Sequence, residues 1–283
     1  IFSIATTGMS ATGPNGEPVA TASVGDLFIA GVVPGLVLAL LLGITTFYRA
    51  KKFDYPRMAR ASWGERWKAF REASWGLALI VIVVGGIYSG MFTPTEAAAI
   101  AAVYSFAISV FVYKDMKIVQ VPAILRNAAA MSAMLLYIIT NAVLFSFLLT
   151  SEQIPQAMAA WMTTQGFGVI VFLFLVNIIL LVAGNFMDPS AIVLIMAPIL
   201  YPMAVKLGVN PIHMGILMAV NMEVGMCHPP VGLNLYVASG ITKMGISELT
   251  VAVWPWLLTM LGFLIAVTYW PTLSLWLPHL LMH

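Results

Sequence analysis

Residues 168–204 read GVIVFLFLVNIILLVAGNFMDPSAIVLIMAPILYPMA, and this stretch decides the fold. Two apolar runs, 168–183 and 191–204, flank Gly184-Asn185-Phe186-Met187-Asp188-Pro189-Ser190. The first run is only about 24 Å long as a helix, short of the ~30 Å hydrocarbon core of a bilayer. The whole is too broken for one membrane span and too apolar for a loop. Two short helices meeting at a polar tip, a re-entrant hairpin, fit it. Backbone of that kind is tolerated at membrane depth only where it is buried in protein or lines a cavity. Asp188 is a preferred N-cap and Pro189 suits the first helical position, so the second helix starts there.

The next segment, 211–240, is a long apolar helix pattern interrupted by Cys227-His228-Pro229-Pro230-Val231-Gly232. Two prolines remove two backbone donors and break the helix, which predicts two half-helices with an unwound middle. The break adjoins the hairpin in sequence.

Composition agrees with a membrane setting. The 283 residues are 61% hydrophobic and only 8% charged, where a soluble domain is about 25% charged. Soluble enzyme, secreted scaffold and disordered tail are excluded, and the fold class is an all-α polytopic membrane protein. The net charge of +2 forms no basic stripe for nucleic acid. One cysteine, Cys227, rules out an intrachain disulfide. The chain begins Ile1-Phe2-Ser3 within apolar sequence, and it reads as a piece whose N-terminal part is missing.

Eleven of the 24 charges fall in residues 49–73, and eight of those are Lys or Arg. By the positive-inside rule that segment is cytoplasmic. Ser62-Trp63-Gly64-Glu65 is a capping box, and Trp63, Trp67 and Phe70 share a face opposite Glu65, Lys68 and Glu72. These features predict a basic helix lying on the membrane surface.

The remaining layout follows from apolar length and caps. Residues 1–48 hold a polar loop, placed outside the membrane, and a span at 27–48. Residues 74–150 hold spans at 74–92, 94–113 and 127–150, the second opened by the capping box Thr93-Pro94-Thr95-Glu96. Residues 151–270 hold an external loop, the hairpin 168–204, the broken helix 211–240 and a span at 249–270. A Trp/Leu/Pro-rich tail, 271–283, closes the chain. Asp26-Leu27, Pro34 and Tyr48 echo Glu248-Leu249, Pro255 and Tyr269, with fourteen residues from Pro to Tyr in both. In this topology the two copies run in opposite directions, as in the inverted repeats of secondary transporters.

Few residues can carry chemistry. Asp188 either caps its own helix only or also serves an ion or substrate site, since ionisable groups at membrane depth are usually functional. The break around Gly225 and Gly232 is either a kink in a packed bundle or a set of free carbonyls for a cation. Glu223, one turn earlier, is a proton or cation site or is paired with a neighbour. Glu96 reads as the partner of Thr93. Cys227 and His228 lack further ligands at metal spacing. No Walker loop or nucleophile elbow occurs, so neither ATP-driven transport nor a catalytic residue is expected. Two other classes compete: a non-transport subunit of a membrane-embedded complex, and a passive channel. The first would need clustered His, Asp or Arg at one interface.

Five motifs taken together resemble the large membrane subunit of TRAP (tripartite ATP-independent periplasmic) transporters. They are Asp26-Leu27-Phe28-Ile29-Ala30-Gly31 with Pro34-Gly35, Phe92-Thr93-Pro94-Thr95-Glu96-Ala97-Ala98, Asp188-Pro189-Ser190, Pro229-Pro230-Val231-Gly232-Leu233-Asn234-Leu235, and Leu273-Ser274-Leu275-Trp276-Leu277-Pro278. They occur in the family's order along nearly the whole chain.

The resemblance implies an inverted-repeat, elevator-type transporter with a re-entrant hairpin and discontinuous helices, multi-pass in the bacterial inner membrane. It implies sodium ions as coupling ions, no other cofactor, and import of an organic acid such as a dicarboxylate or a sialic acid. The implied partners are a small membrane subunit and a periplasmic substrate-binding protein, besides membrane lipid. A carboxylate symporter that works without a binding protein is the alternative. Carried onto this sequence, the sodium and substrate candidates are Gly184, Asn185, Asp188, Pro189 and Ser190, and Gly225, Met226, Pro229, Pro230 and Val231, with Glu223 added from its position. Sodium itself would be held through Gly184, Asp188, Ser190, Gly225 and Pro229. The family's first hairpin would precede Ile1. His228 stands where members often carry Thr.

Overall fold

The computed structural model describes residues 1–9, 11–55, 60–229 and 232–281. The chain divides into two compact units, Ile1–Phe53 with Leu135–His283, and Asp54–Met134. Among the described residues, six helices are long and apolar enough to cross a membrane by length and composition.

In the first unit, α1 (Phe2–Thr6) leads into a two-stranded antiparallel hairpin, β1 (Ala11–Thr12) and β2 (Pro18–Val19). The polar run read as a loop thus carries a small ordered cover, and Phe2 meets Tyr201 edge-on at 6.4 Å. Helix α2 (Val24–Lys52) starts at a capping box in which Ser23 and Asp26 exchange hydrogen bonds. It exceeds the expected 27–48 because nothing after Tyr48 breaks it before Phe53.

The second unit holds α3 (Trp63–Tyr88) and α4 (Pro94–Ala107), the latter continued by a π-helical turn over 108–112. Both capping boxes read from the sequence are present. The expected surface helix within 49–73 and the span 74–92 are not separate. They are one continuous helix, since residues 63–84 contain no proline and no glycine pair. The change there from an amphipathic to a wholly apolar pattern alters what the helix faces, not its backbone. Helix α5 (Val121–Ser151) runs on from this unit into the first.

Residues expected as an external loop contain α6 (Ile154–Thr164), which packs on α8. The hairpin follows as α7 (Val169–Gly184) and α8 (Pro189–Lys206), linked by four residues. Just over half of the most apolar window of α8 is buried (56%), against at most 22% for the other five long apolar helices. Helix α8 is therefore a core element despite its hydropathy. The broken helix appears as α9 (Pro211–Cys227) and α10 (Leu233–Thr242), and α11 (Ile246–Tyr269) covers the last expected span. The expected tail forms α12 (Thr272–Leu281), which packs on α2 and α9. Its Pro278 sits inside the helix, with Pro271 just before its start.

The core lies where α7, α8 and α9 meet. Phe172, Val176 and Leu180 of α7, Tyr201 of α8, and Leu217 and Met218 of α9 are at most 2% exposed. A second cluster joins Ala30 of α2 to Ile216 of α9 and to Phe263 and Val267 of α11. Farther along α2, Thr45 and Thr259 share a hydrogen bond of 2.8 Å, and Trp256 Nε1 donates to Thr46 at 2.9 Å. Advancing along α2 therefore means retreating along α11. The two echoing helices are antiparallel neighbours.

Candidate functional site

Helices α7 and α9 run parallel. Asn221 of α9 donates to Asn177 of α7 at 2.7 Å, and both chains then advance to a backbone contact between Gly184 and Gly225. A Cβ added at Gly184 would lie 3.0 Å from the Gly225 Cα, and one added at Gly225 would lie 2.9 Å from the Gly184 Cα. Only glycine at both positions allows this approach. Its consequence is electrostatic. Each helix end carries roughly half a negative charge, and two such ends stand side by side, although several of their carbonyls, that of Gly225 among them, already accept from the following backbone.

The hairpin tip is tied to the break by side chains as well. Asn185 is buried, donates to the Leu181 carbonyl at 3.2 Å, and meets His228 Nδ1 through its Oδ1 at 3.3 Å. His228 thus holds the tip instead of supplying the hydroxyl that threonine would have brought. Past His228 the backbone turns through Gly232, with φ +48°. The carbonyls of His228 and Met226 crowd this glycine, at 2.8 and 3.1 Å from where a Cβ would sit. Pro229 is half-buried beside them, while Pro230 and Val231 lie outside the described residues.

The other candidates collect elsewhere in the same unit. Pro189 and Ser190, at the start of α8, and Glu223 of α9 line a cavity of about 370 Å³. Ser3 of α1 and Leu27 and Phe28 of α2 close its far side. Asp188 belongs to neither group. It is exposed, and one carboxylate oxygen accepts from the N–H groups of Ser190 at 2.9 Å and Ala191 at 3.4 Å. This is the N-cap expected of it. Of the eleven candidates, Gly184, Asn185, Gly225, Met226 and Pro229 belong to a carbonyl-rich junction, Pro189, Ser190 and Glu223 to a cavity wall, Asp188 to neither, and Pro230 and Val231 lie outside the described residues.

A buried polar chain was missed by the sequence reading. Asn221 donates to Asn177, whose Nδ2 donates to the Thr268 hydroxyl at 2.8 Å, and that hydroxyl donates to the Leu264 carbonyl. His213 Nε2 lies 3.3 Å from the Thr268 carbonyl, and its Nδ1 is 2.7 Å from the Ser274 hydroxyl. The chain joins α7, α9, α11 and α12. One signal was available: Asn177 and Asn221 are isolated amides within apolar runs.

The donors at the junction are oxygens from backbone carbonyls, with a serine hydroxyl and a carboxylate at the cavity. Paired helix C-termini and unwound carbonyls are the arrangement with which transporters hold small cations.

Comparison with known proteins agrees with the motifs. The family model described as "Tripartite ATP-independent periplasmic transporter, DctM component" matches residues 6–273. The chain is 68% identical over 281 residues to the C4-dicarboxylate TRAP transporter large permease protein DctM of Rhodobacter capsulatus, covering 99% of this chain and 64% of that protein. It is 54% identical to the protein of the same name from Pseudomonas aeruginosa, covering 91% of this chain and 60% of that one. It is 33% identical to the sialic acid TRAP transporter large permease protein SiaM of Vibrio cholerae, covering 93% of this chain and 62% of that one. The chain therefore spans a little under two thirds of the length of these relatives. All three are named as transporter permeases, a non-enzymatic function. With its apolar helices and this match over nearly its whole length, the chain is a multi-pass inner-membrane protein that belongs to the DctM component family of tripartite ATP-independent periplasmic transporters.

Proposed function

We propose that this chain carries one half of the transport core of a sodium-coupled, elevator-type importer of an organic acid, with a C4-dicarboxylate as the substrate class. The observation that carries the coupling ion is the Gly184–Gly225 contact, which brings two negative helix ends together. The relatives at 68% and 54% identity are named for C4-dicarboxylates, and the one named for sialic acid is at 33%. That ordering favours the smaller diacid. Its carboxylate would meet the Ser190 side chain on the cavity wall, since Asp188 already caps the α8 N-terminus. In this reading a small membrane subunit and a periplasmic binding protein complete the machine, the second delivering the substrate.

The test is uptake of radiolabelled succinate into proteoliposomes holding the complete transporter and its binding protein. Replacing external sodium by choline abolishes uptake if the reading holds. Undiminished uptake in choline overturns it. Glu223 favours a second reading, proton coupling, because its residue lines the same cavity as Ser190. Uptake driven by a pH gradient in choline, and lost in Glu223→Gln, is the outcome that reading requires.

A further inference from the structure

In the second unit, Gly64, Trp67, Lys68, Arg71, Glu72 and Trp75 of α3 line one side of a groove of about 570 Å³. Their spacing (i, i+3, i+4, i+7, i+8, i+11) is a single stripe along the helix, so Trp67 stands at the edge of the charged face beside Lys68 and Glu72, and not opposite them as the sequence pattern suggests. Val112 and Tyr113, at the end of the π-helical turn, form the other side. Two hydrogen bonds fix α3 against the α4 segment beside the groove: Tyr113 donates to the Glu72 carbonyl at 2.6 Å, and Tyr104 donates to the Trp75 carbonyl at 2.8 Å. Gly64 contributes no side chain, which leaves that end unobstructed.

The charges in this groove do not balance. Lys68 and Arg71 face one carboxylate, Glu72. Among the described residues, neither cation has an ion-pair partner within 4.0 Å. Two like charges one helical turn apart repel by roughly 0.2–0.5 kcal/mol, which a bound anion would relieve. The aromatic flanks point to the depth at which that anion lies. Trp67 and Trp75 are 69% and 46% exposed, and indole rings with exposed faces favour the headgroup level of a bilayer. Beyond Trp75 the helix has no charge through Tyr88, and Leu77, Ile80 and Val81 are exposed. The groove's stripe continues past Trp75 through Ala78, Leu79 and Ile82, apolar and half-buried, while the exposed Leu77, Ile80 and Val81 lie on the other side of the helix.

We propose that this groove binds an anionic phospholipid, its headgroup phosphate between Lys68 and Arg71 and its acyl chains beyond Trp75. Charge complementarity selects an anion, and the uncharged apolar helix beyond Trp75 selects a lipid over free phosphate. A cationic pocket on the cytoplasmic side of a span is the usual setting for such recognition.

Native mass spectrometry of the complete detergent-purified permease tests this, with phosphatidylglycerol, phosphatidylcholine and inorganic phosphate as probes. Phosphatidylglycerol binds the unaltered protein more tightly than phosphatidylcholine. Lys68→Gln with Arg71→Gln weakens phosphatidylglycerol by about tenfold or more. Lys114→Gln with Lys117→Gln removes the same charge outside the groove and leaves binding within about twofold. The charge-keeping pair Lys68→Arg with Arg71→Lys binds as the unaltered protein does, which separates loss of the site from loss of the fold. Equal weakening by both glutamine pairs reduces the effect to general surface charge and overturns the proposal. Unchanged binding in Lys68→Gln/Arg71→Gln, as expected if another segment of the complete permease covers the groove, overturns it as well. Displacement of phosphatidylglycerol by millimolar inorganic phosphate would transfer the site to a soluble anion.

Discussion

At the scale of single residues, the junction rests on atoms that are absent. Gly225→Ala places a methyl 2.9 Å from the Gly184 Cα, with backbone rather than a flexible side chain in the way. Overpacking of this kind costs about 1–3 kcal/mol. The expected outcome is a lowered Tm of the purified permease together with loss of uptake. Gly262→Ala on α11, with nothing within 4 Å, is the matched control and leaves both unchanged or slightly improved. Asp188 allows its two roles to be separated. Asparagine caps a helix as well as aspartate does, whereas alanine costs about 1 kcal/mol at that position. If the carboxylate also serves transport, Asp188→Asn and Asp188→Ala both reduce uptake by about tenfold or more. Only the alanine variant then lowers Tm. Full uptake in Asp188→Asn would leave the residue as a cap alone.

At the scale of elements, the buried amide chain fixes how α7 sits on α9 and α11. Asn221 is fully buried, and its Oδ1 has no hydrogen-bond partner among the described residues. Removing Asn177 alone strips Asn221 of another partner, so Asn177→Leu destabilises by about 1–3 kcal/mol. Asn177→Leu combined with Asn221→Leu removes the amides of both helices from an apolar contact and recovers much of that loss, because matched apolar replacement of both partners is nearly neutral. Thermal unfolding of the three variants in detergent checks it, and additive losses would show that packing, not hydrogen bonding, dominates there. Element boundaries were partly legible. The hairpin tip at Asp188-Pro189 and the break after Cys227 were written in cap and proline chemistry, which act locally. The continuity of α3 was not, since a change in amphipathic pattern marks a change of surroundings and imitates a boundary. The helices α6 and α12 were missed for the converse reason: their prolines and short lengths resemble loop, and contact with α8 for α6, and with α2 and α9 for α12, supplies what local preference lacks.

At the scale of the whole molecule, α2 and α11 tie both echoing segments into one body around α9. The Thr45–Thr259 contact of 2.8 Å offers a direct check. In a Cys227→Ala background, Thr45→Cys with Thr259→Cys is expected to cross-link under mild oxidation in native membranes. If the two helices move together during transport, uptake survives the cross-link, and a locked transporter would show that they slide. The sequence by itself determined the all-α membrane class and the family, and marked the helix start at Asp188-Pro189 and the break after Cys227, because these depend on composition, on caps and prolines, and on ordered motifs. Tertiary structure alone decided that Gly184 touches Gly225, that His228 holds Asn185, and that Ser190 and Glu223 share a cavity wall while Asp188 stands apart. The physical reason is that contact between residues some forty positions apart is set by how parallel helices register on one another. That register follows from packing of the whole core, which no local pattern of residues encodes.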